Sequence, residues 1–376
     1  MFDRIIQMFV KELIQVLRDP RMRGVIFVAP VVQLIVLSYA ITTDVTNIRI
    51  AVIDRDNTPE SRELVSRFAG SPYFNIVAHP ASERVAQDMI DHEQIQAFIA
   101  LQPRFAQTLR AGRTAPMQLV VDGTDSSTTK VILGYANDIV QRYSSQVLME
   151  RYARTTGGTL EPERVPLHTR TWYNVNLESR PYYVPGMLAL IIGLVTLMLT
   201  SMAVVREREL GTLEQLMVTP IKPIELIIGK TAPFACVSFV ELGIVLCIAV
   251  FWFGIPIQGS VWLLLLAALF YIMSMLGVGL LISTTCHTQQ QATMTNIMFF
   301  MPAILLSGFM FPIANMPRVI QWVTLVNPMR YFVEIVRCIF LKGSGVALLW
   351  PNLLALFVLG AAALALASAR FKKTTA

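Results

Sequence analysis

Charge is scarce in this chain: of 376 residues only 15% are Asp, Glu, Lys or Arg, 54% are hydrophobic, and the mean hydropathy is +0.56. That balance excludes a soluble globule of this length, whose charged fraction runs near ~25%. Cysteine is scarce too. Cys236, Cys247, Cys286 and Cys338 lie in or beside apolar segments without CxxC spacing, which excludes a disulfide framework and a thiolate zinc site. His79, His92, His168 and His287 are scattered, with no pair at metal-ligand spacing. Asp54-Arg55-Asp56-Asn57 resembles a calcium loop but lacks the turn glycine and the closing glutamate, so it reads as a polar turn after a strand. No GxSxG nucleophile elbow is present. Gly229-Lys230-Thr231 ends like a phosphate-binding loop, yet Ile224 stands where the first glycine is required and the residues between are apolar. The sequence therefore offers no catalytic, metal-binding or cofactor-binding residues, and any ATP and Mg is expected on a separate polypeptide.

What the chain does have is long apolar sequence. A hydrocarbon core of ~30 Å needs about 20 apolar helical residues. Six stretches fit: 24–41, 184–205, 233–253, 261–285, 293–313 and 346–369. Pro30 and Gln33 in the first and Pro302 in the fifth are tolerated where neighbours re-satisfy the freed carbonyls. The expected fold is a polytopic α-helical membrane protein with six transmembrane helices.

Basic residues give the orientation, because Lys and Arg in short flanks resist translocation. Arg4, Lys11, Arg18, Arg21 and Arg23 precede the first span; Arg206, Arg208, Lys222 and Lys230 follow the second; Arg370, Lys372 and Lys373 follow the last. With an even count all three groups are cytoplasmic, as are both termini, and 44–183 is extracytoplasmic. Segment 44–183 carries 15 Lys and Arg against 16 Asp and Glu, so the net charge of +6 resides elsewhere and reflects membrane anchoring rather than nucleic acid. One segment disagrees: 314–345 falls outside yet carries Arg318, Arg330, Arg337 and Lys342. Ser38-Tyr39-Ala40 imitates a signal-peptide cleavage site, but Asp3, Glu12 and Asp19 precede the apolar run, which favours an uncleaved anchor.

Outside the spans two further patterns stand out. Phe2, Ile5, Ile6, Phe9, Leu13, Ile14 and Leu17 recur at helical spacing, which predicts an amphipathic helix over 1–23 lying in the cytoplasmic interface among membrane lipids; the first span then occupies 24–43. Segment 44–183 alternates strand-like stretches (48–53, 74–77, 97–101, 117–121) with helix-like ones (60–68, 82–90, 104–109 and about 129–151), the pattern of an inserted α/β domain. Trp172, Tyr173, Tyr182 and Tyr183 supply an aromatic belt where the chain returns to lipid, and 184–376 carries the remaining five spans.

Between the second and third spans lies Val-Val-Arg-Glu-Arg-Glu-Leu-Gly at 204–211, four alternating charges beside an apolar run. Gly211 or Thr212 can begin a short helix with Glu214 in its first turn, bounded by Pro220 and Pro223. On the residues alone, a surface offering donors and acceptors to a partner and a solvated loop that anchors topology stand level. The stretch Glu-Arg-Glu-Leu-Gly-Thr-Leu-Glu-Gln-Leu at 207–216, followed by Thr219-Pro220 and Gly229-Lys230, resembles the coupling segment of the ABC-2 type permeases, the membrane subunits of ATP-binding cassette exporters. The resemblance covers essentially the whole chain. It also accounts for the discordant segment: Asn327-Pro328-Met329-Arg330-Tyr331, then Glu334, Arg337 and Leu341-Lys342-Gly343, is similar to the family's outer helical element within 314–345. What the resemblance implies is a transmembrane permease of an ATP-driven exporter in a bacterial inner membrane, moving small hydrophobic or amphipathic compounds outward. It implies a dimer with a second copy or a paralogue and an ATP-binding cassette subunit docked at Arg206, Glu207, Arg208, Glu209, Gly211, Thr212, Glu214 and Pro220; for segment 44–183, contact with a periplasmic adaptor as a further partner and cover for the outer exit both fit.

Two polar residues fall inside spans. Glu241 lies in the third, where an ionised carboxylate costs at least ~2.5 kcal/mol, so it must face protein or water, or be protonated. A translocation path or dimer seam and a hydrogen-bonded bundle contact both fit. Asn296, with Gln289, Gln290, Gln291 and Thr295, opens the fifth span, where path lining and helix capping both fit. A membrane-anchored sensor whose α/β domain binds an external ligand, and a proton-driven transporter supported only by Glu241, are the rival functions.

Overall fold

The computed structural model describes residues 2–41, 47–156, 172, 173, 179–211 and 223–373, which form two units, Met1–Thr42 with Arg170–Ala376 and Thr43–Thr169. The first unit begins with α1 (Phe2–Arg18), a two-sided helix: Glu12 and Val16 are buried while Ile6, Val10, Ile14 and Leu17 form an exposed apolar stripe. A helical path follows through α2 (Pro20–Arg23), a wide π-wound turn (Gly24–Val28) and α3 (Ala29–Ala40). Pro30 brings no N–H to this path, and just before it the Ala29 N–H bonds back to the Gly24 carbonyl.

The second unit is an α/β sandwich. β1 (Ile48–Asp54), α4 (Pro59–Ala69), β2 (Phe74–Ala78), α5 (Glu83–Asp91), β3 (Ala97–Leu101), α6 (Phe105–Arg110), β4 (Met117–Val121) and α7 (Ser126–Thr156) follow in order. The sheet runs β2-β1-β3-β4, parallel except for β4. The central strand β3 is buried along its whole length, as a strand covered on both faces must be. Alternation sends Ile48, Ile50, Ala97, Ile99 and Leu101 into one core with Leu64, Phe68, Phe105, Ile132 and Tyr143, and Ala51, Ile53, Phe98 and Ala100 into a smaller one with Ala86. Each strand and helix sits within a few residues of the stretch its periodicity marks. Thr58 starts α4 with a reciprocal capping pair, its hydroxyl accepting from Ser61 N–H, and Pro59 occupies the first helical position. Asp54 Oδ1 accepts the Asp56 and Asn57 N–H groups at 3.0 and 2.9 Å, and Asp56 Oδ2 accepts the Ala106 N–H at 2.9 Å. The polar turn is thus built on carboxylates already engaged by backbone donors.

The first unit resumes with α8 (Arg180–Glu209), α9 (Pro223–Cys247, extended by a π-wound turn Ile248–Trp252), α10 (Val261–Thr285), α11 (Gln289–Leu305), α12 (Arg318–Thr324), α13 (Pro328–Arg337, extended by a π-wound turn Cys338–Lys342) and α14 (Val346–Lys373). Helix α8 is the axis, touching α3, α9, α10, α11 and α13, while α10 packs along α14. Its buried hydroxyls satisfy themselves and stitch neighbours. Thr196 Oγ1 donates to the Ile192 carbonyl and lies 2.7 Å from Ser238 Oγ on α9, and Asn296 Nδ2 on α11 donates to Ser201 Oγ at 2.6 Å.

Among the described residues, four helices are long and apolar enough to cross a membrane, Arg180–Glu209, Ile227–Trp252, Val261–Thr285 and Val346–Arg370; Ile26–Ala40 is shorter. The expected fifth span 293–313 is revised. Helix α11 begins at Gln289 and stops at Leu305, a rise of ~25 Å at 1.5 Å per residue. Gly308 has φ +78°, a left-handed conformation that ends the helical course, and Arg337 Nη1 and Nη2 donate to the Gly308 and Phe309 carbonyls at 2.8 and 2.9 Å.

The backbone donor of Ala106 holds the Asp56 carboxyl below its ordinary value of 3.8, helped by the Thr58 hydroxyl. A depressed folded-state value stabilises above the unfolded pKa and loses that contribution as pH falls through the folded one. Asp56→Ala is expected to cost about 1 kcal/mol near neutral pH, and the difference from the parent protein should narrow as pH drops below 3.8. Unfolding of the full chain in detergent, followed across pH, checks this.

Candidate functional site

The last turn of α8 meets α1 and the first turns of α9. Glu207, 7% exposed, turns inward: its Oε1 lies 2.9 Å from Lys11 Nζ and its Oε2 pairs with Lys230 Nζ. Lys230 is 2% exposed, and Lys11 reaches on to Glu12 Oε1 at 3.4 Å. Two ammonium groups and two carboxylates thus balance at the junction of three helices. Ions taken from water persist only when paired this fully. Gly229 makes the approach possible, since a Cβ there would lie 2.7 Å from Met8 Sδ and push α1 away. Met8 and Lys11 are about one helical turn apart, so one face of α1 meets both Gly229 and Glu207.

The other residues of the charged stretch divide. Arg208 Nη1 donates to the Cys286 carbonyl at 2.8 Å, and Glu209 accepts from Gln289 Nε2 at 2.6 Å, so α8 is also fastened to the turn between α10 and α11. Arg206 lines a cleft of about 400 Å³ with Glu12, Asp19, Met22, Leu199, Met202 and Phe234. Gly211 is exposed with φ +70°, and a Cβ there would meet nothing within 4 Å among the described residues, so the backbone of the turn ending α8 itself calls for glycine. Thr212, Glu214 and Pro220 lie outside the described residues. Gly229-Lys230-Thr231 sits inside α9, where Thr231 Oγ1 donates to the Ile227 carbonyl at 2.8 Å; all three residues are spent on packing and pairing.

Glu241 and Asn296 lie apart from this cluster. Glu241 is 1% exposed within the buried stripe Phe234, Val237, Ser238, Leu242 and Val245 of α9, and neither carboxylate oxygen has a hydrogen-bond partner. Among the described residues no hydrogen-bonded bundle contact holds it. Asn296 is the reverse case, a bundle contact through Ser201 with its Oδ1 left over.

At the Arg180 end of α8, the residues of segment 314–345 are structural anchors. Asn327 caps α13, its Oδ1 accepting from Met329 N–H at 3.1 Å and its Nδ2 donating to the Ala303 carbonyl at 2.7 Å, with Pro328 at the first helical position. Tyr331 Oη donates to the Leu325 carbonyl at 2.9 Å. Arg337 stacks 3.9 Å over the Tyr182 ring besides bonding Gly308 and Phe309, Gly343 ends the helix at φ +62°, and Glu334 is exposed.

Sequence reasoning missed Lys11 and Glu12 as members of this site, and placed Lys230 in the coupling-segment resemblance without its pairing to Glu207. One signal is present: Lys230 interrupts an otherwise apolar run, and a lysine there needs an acid brought from elsewhere in the chain.

The family model described as ABC-2 family transporter protein matches residues 22–369. The chain is similar to the probable multidrug ABC transporter permease YbhR of Escherichia coli K12, with 36% identity over 373 residues covering 99% of both chains. It is similar to the probable multidrug ABC transporter permease YbhS of the same organism, 31% identical over 93% of this chain and 92% of that one. The inner membrane transport permease YhhJ, also of E. coli K12, is 30% identical over 98% of this chain and 97% of its own.

Removing one partner of the buried pair should cost far more than removing both. Glu207→Ala, which strands Lys230, is expected to destabilise by about 3 kcal/mol, whereas Glu207→Leu with Lys230→Leu should fall within about 1 kcal/mol of the parent. Thermal unfolding in detergent distinguishes the two. Glu241→Leu, which replaces a buried carboxyl without partners, should raise stability by about 1 kcal/mol in the same measurement.

Proposed function

This chain belongs to the ABC-2 family of transporter proteins, and from that premise we propose that it is the permease subunit of an ATP-driven exporter of small hydrophobic or amphipathic, drug-like compounds. Two of its relatives carry the name multidrug ABC transporter permease, which supports the substrate class. The cleft beside Arg206 fits that class in character: Met22, Leu199, Met202 and Phe234 offer adaptable apolar contact, and Glu12, Asp19 and Arg206 add charge at its wall. ATP and Mg belong to a separate ATP-binding cassette subunit, and two permeases, identical or related, form the transport unit in the inner membrane. Both termini face the cytoplasm, Thr43–Thr169 lies outside, and a periplasmic adaptor meets it there.

Coupling is where the geometry adds to the family reading. The docking surface is the segment 206–223, with Glu209, Gly211, Thr212, Glu214 and Pro220 directed to the ATPase. Glu207 acts from within. Its carboxylate joins α1 and α9 to α8, so displacement of the docking segment is passed to three helices together. That shared carboxylate is the observation that carries the proposal.

A proton-driven transporter draws support only from Glu241, whose unpartnered carboxyl lies inside one protomer's bundle. A sensor leaves the shared carboxylate at the docking end without a task.

Co-purification and transport test the scheme. A P-loop ATPase should co-purify with the parent chain. The Glu207→Leu, Lys230→Leu double variant should retain that ATPase yet export a hydrophobic dye at least about tenfold more slowly, while Glu214→Lys should lose the ATPase. Export at the parental rate by the double variant, or ATP hydrolysis by the permease purified alone, would refute the scheme.

A further inference from the structure

At the end of the bundle remote from Glu207, a cavity of about 560 Å³ opens between the turn after α11 and helices α12 and α13. Its wall carries Arg330, Arg337 and Lys342 against a single carboxylate, Glu334. None of the three cations forms an ion pair among the described residues, which give the wall a surplus of positive charge. The two arginines are already held in place. Arg337 is fixed by the Gly308 and Phe309 carbonyls and the Tyr182 ring. Arg330 uses Nη1 on Thr324 and Gln321, while its Nε is buried without an acceptor.

The rim is of opposite character. Met310 and Phe311 precede the lining residues Pro312 and Ile313 and are 48% and 56% exposed, and Trp322 and Val323, which follow the lining residue Gln321, are 75% and 55% exposed. Fixed guanidinium groups beside an apolar rim suit a ligand with an anionic, multi-oxygen head and a hydrocarbon body. Guanidinium recognises the planar pair of oxygens on a phosphate particularly well.

We infer that this cavity binds the phosphodiester headgroup of an anionic phospholipid, with its acyl chains along the Met310–Val323 rim. Nothing in this depends on how the ATPase docks, so it stands or falls apart from the coupling scheme. The function is positional: a bound headgroup supplies the missing counter-charge and ties α13 to the turn after α11.

The test uses the delipidated full chain in a neutral detergent, titrated separately with dioleoylphosphatidylglycerol, dioleoylphosphatidylcholine and sodium phosphate, with the unfolding midpoint as readout. Phosphatidylglycerol should raise the midpoint in a saturable way and phosphatidylcholine much less. Lys342→Gln, an exposed change that leaves the fold alone, should weaken the phosphatidylglycerol response about fivefold, and Arg330→Gln with Lys342→Gln further, in line with roughly 1 kcal/mol per basic residue. The same Lys342→Gln protein, without lipid, should unfold as the parent does. Equal responses to both lipids, or an unchanged phosphatidylglycerol titration in both variants, overturn the inference. A response to phosphate alone as strong as that to phosphatidylglycerol overturns the assignment to a lipid.

Discussion

The register of α1, α8 and α9 depends on one buried carboxylate held by two ammonium groups. Glu207 has no reason to be inside unless Lys230 meets it, and Lys230 has no reason to interrupt the start of α9 unless Glu207 is there. Lys11, half exposed, adds the third helix to the pair. The contact is demanding on its surroundings, because it forms only if α1 can lie against α9, and that requires a residue without a side chain at Gly229. A purely apolar junction would hold three helices as firmly. What the ions add is a fixed register, since each has one position in which it is not left bare.

The same axis helix is fastened by different chemistry along its length. At the Glu207 end the ties are ionic, supplemented by Arg208 and Glu209 reaching the turn between α10 and α11. In the middle they are hydroxyl and amide contacts, Thr196 with Ser238 and Ser201 with Asn296, short side chains that permit close helix approach. At the Arg180 end, Arg337 grips backbone carbonyls and an aromatic ring. Glu241 stands against this background as the exception, a carboxyl buried as deeply as Glu207 but with neither a counter-charge nor a donor. The buried threonines of the bundle are satisfied internally, whereas among the described residues both Glu241 oxygens, like Asn296 Oδ1, are left without a donor.

How much of this is legible in the sequence differs by element for physical reasons. The strands and helices of Thr43–Thr169 are readable because β-rich runs such as Ile48–Ile53 and the helix-like stretches between them are local signals that survive into the fold. The long spans are readable because hydropathy sums over twenty residues. The end of α11 is not, since hydropathy is blind to the turn at Gly308 and to an arginine arriving from Arg337, 29 residues later, to cap it. Glu207 is visible as a charge but reads as facing outward, because its partners lie 196 and 23 residues away and no local rule joins them. Glycine and lysine at 229 and 230 look in sequence like the remnant of a phosphate loop, whereas in the fold they are two halves of a helix junction.

The coupling scheme gains most from the length of α8. Its thirty residues rise ~45 Å, enough to run from the docking end to the outer element as one rod. Buried along most of its surface, it has little freedom to bend independently of its neighbours. A push at the docking segment that tilted α8 alone would break the Lys11 and Lys230 contacts, leaving two buried ions bare, so the low-energy response is for α1, α8 and α9 to move together. The opposite end of that rod carries Tyr182 against Arg337, and Arg337 holds the turn that terminates α11. On the proposed docking at 206–223, a displacement of that segment is carried along α8 to the Tyr182–Arg337 contact without any wire of small rearrangements, because the parts that would have to slip are the ones pinned by charge.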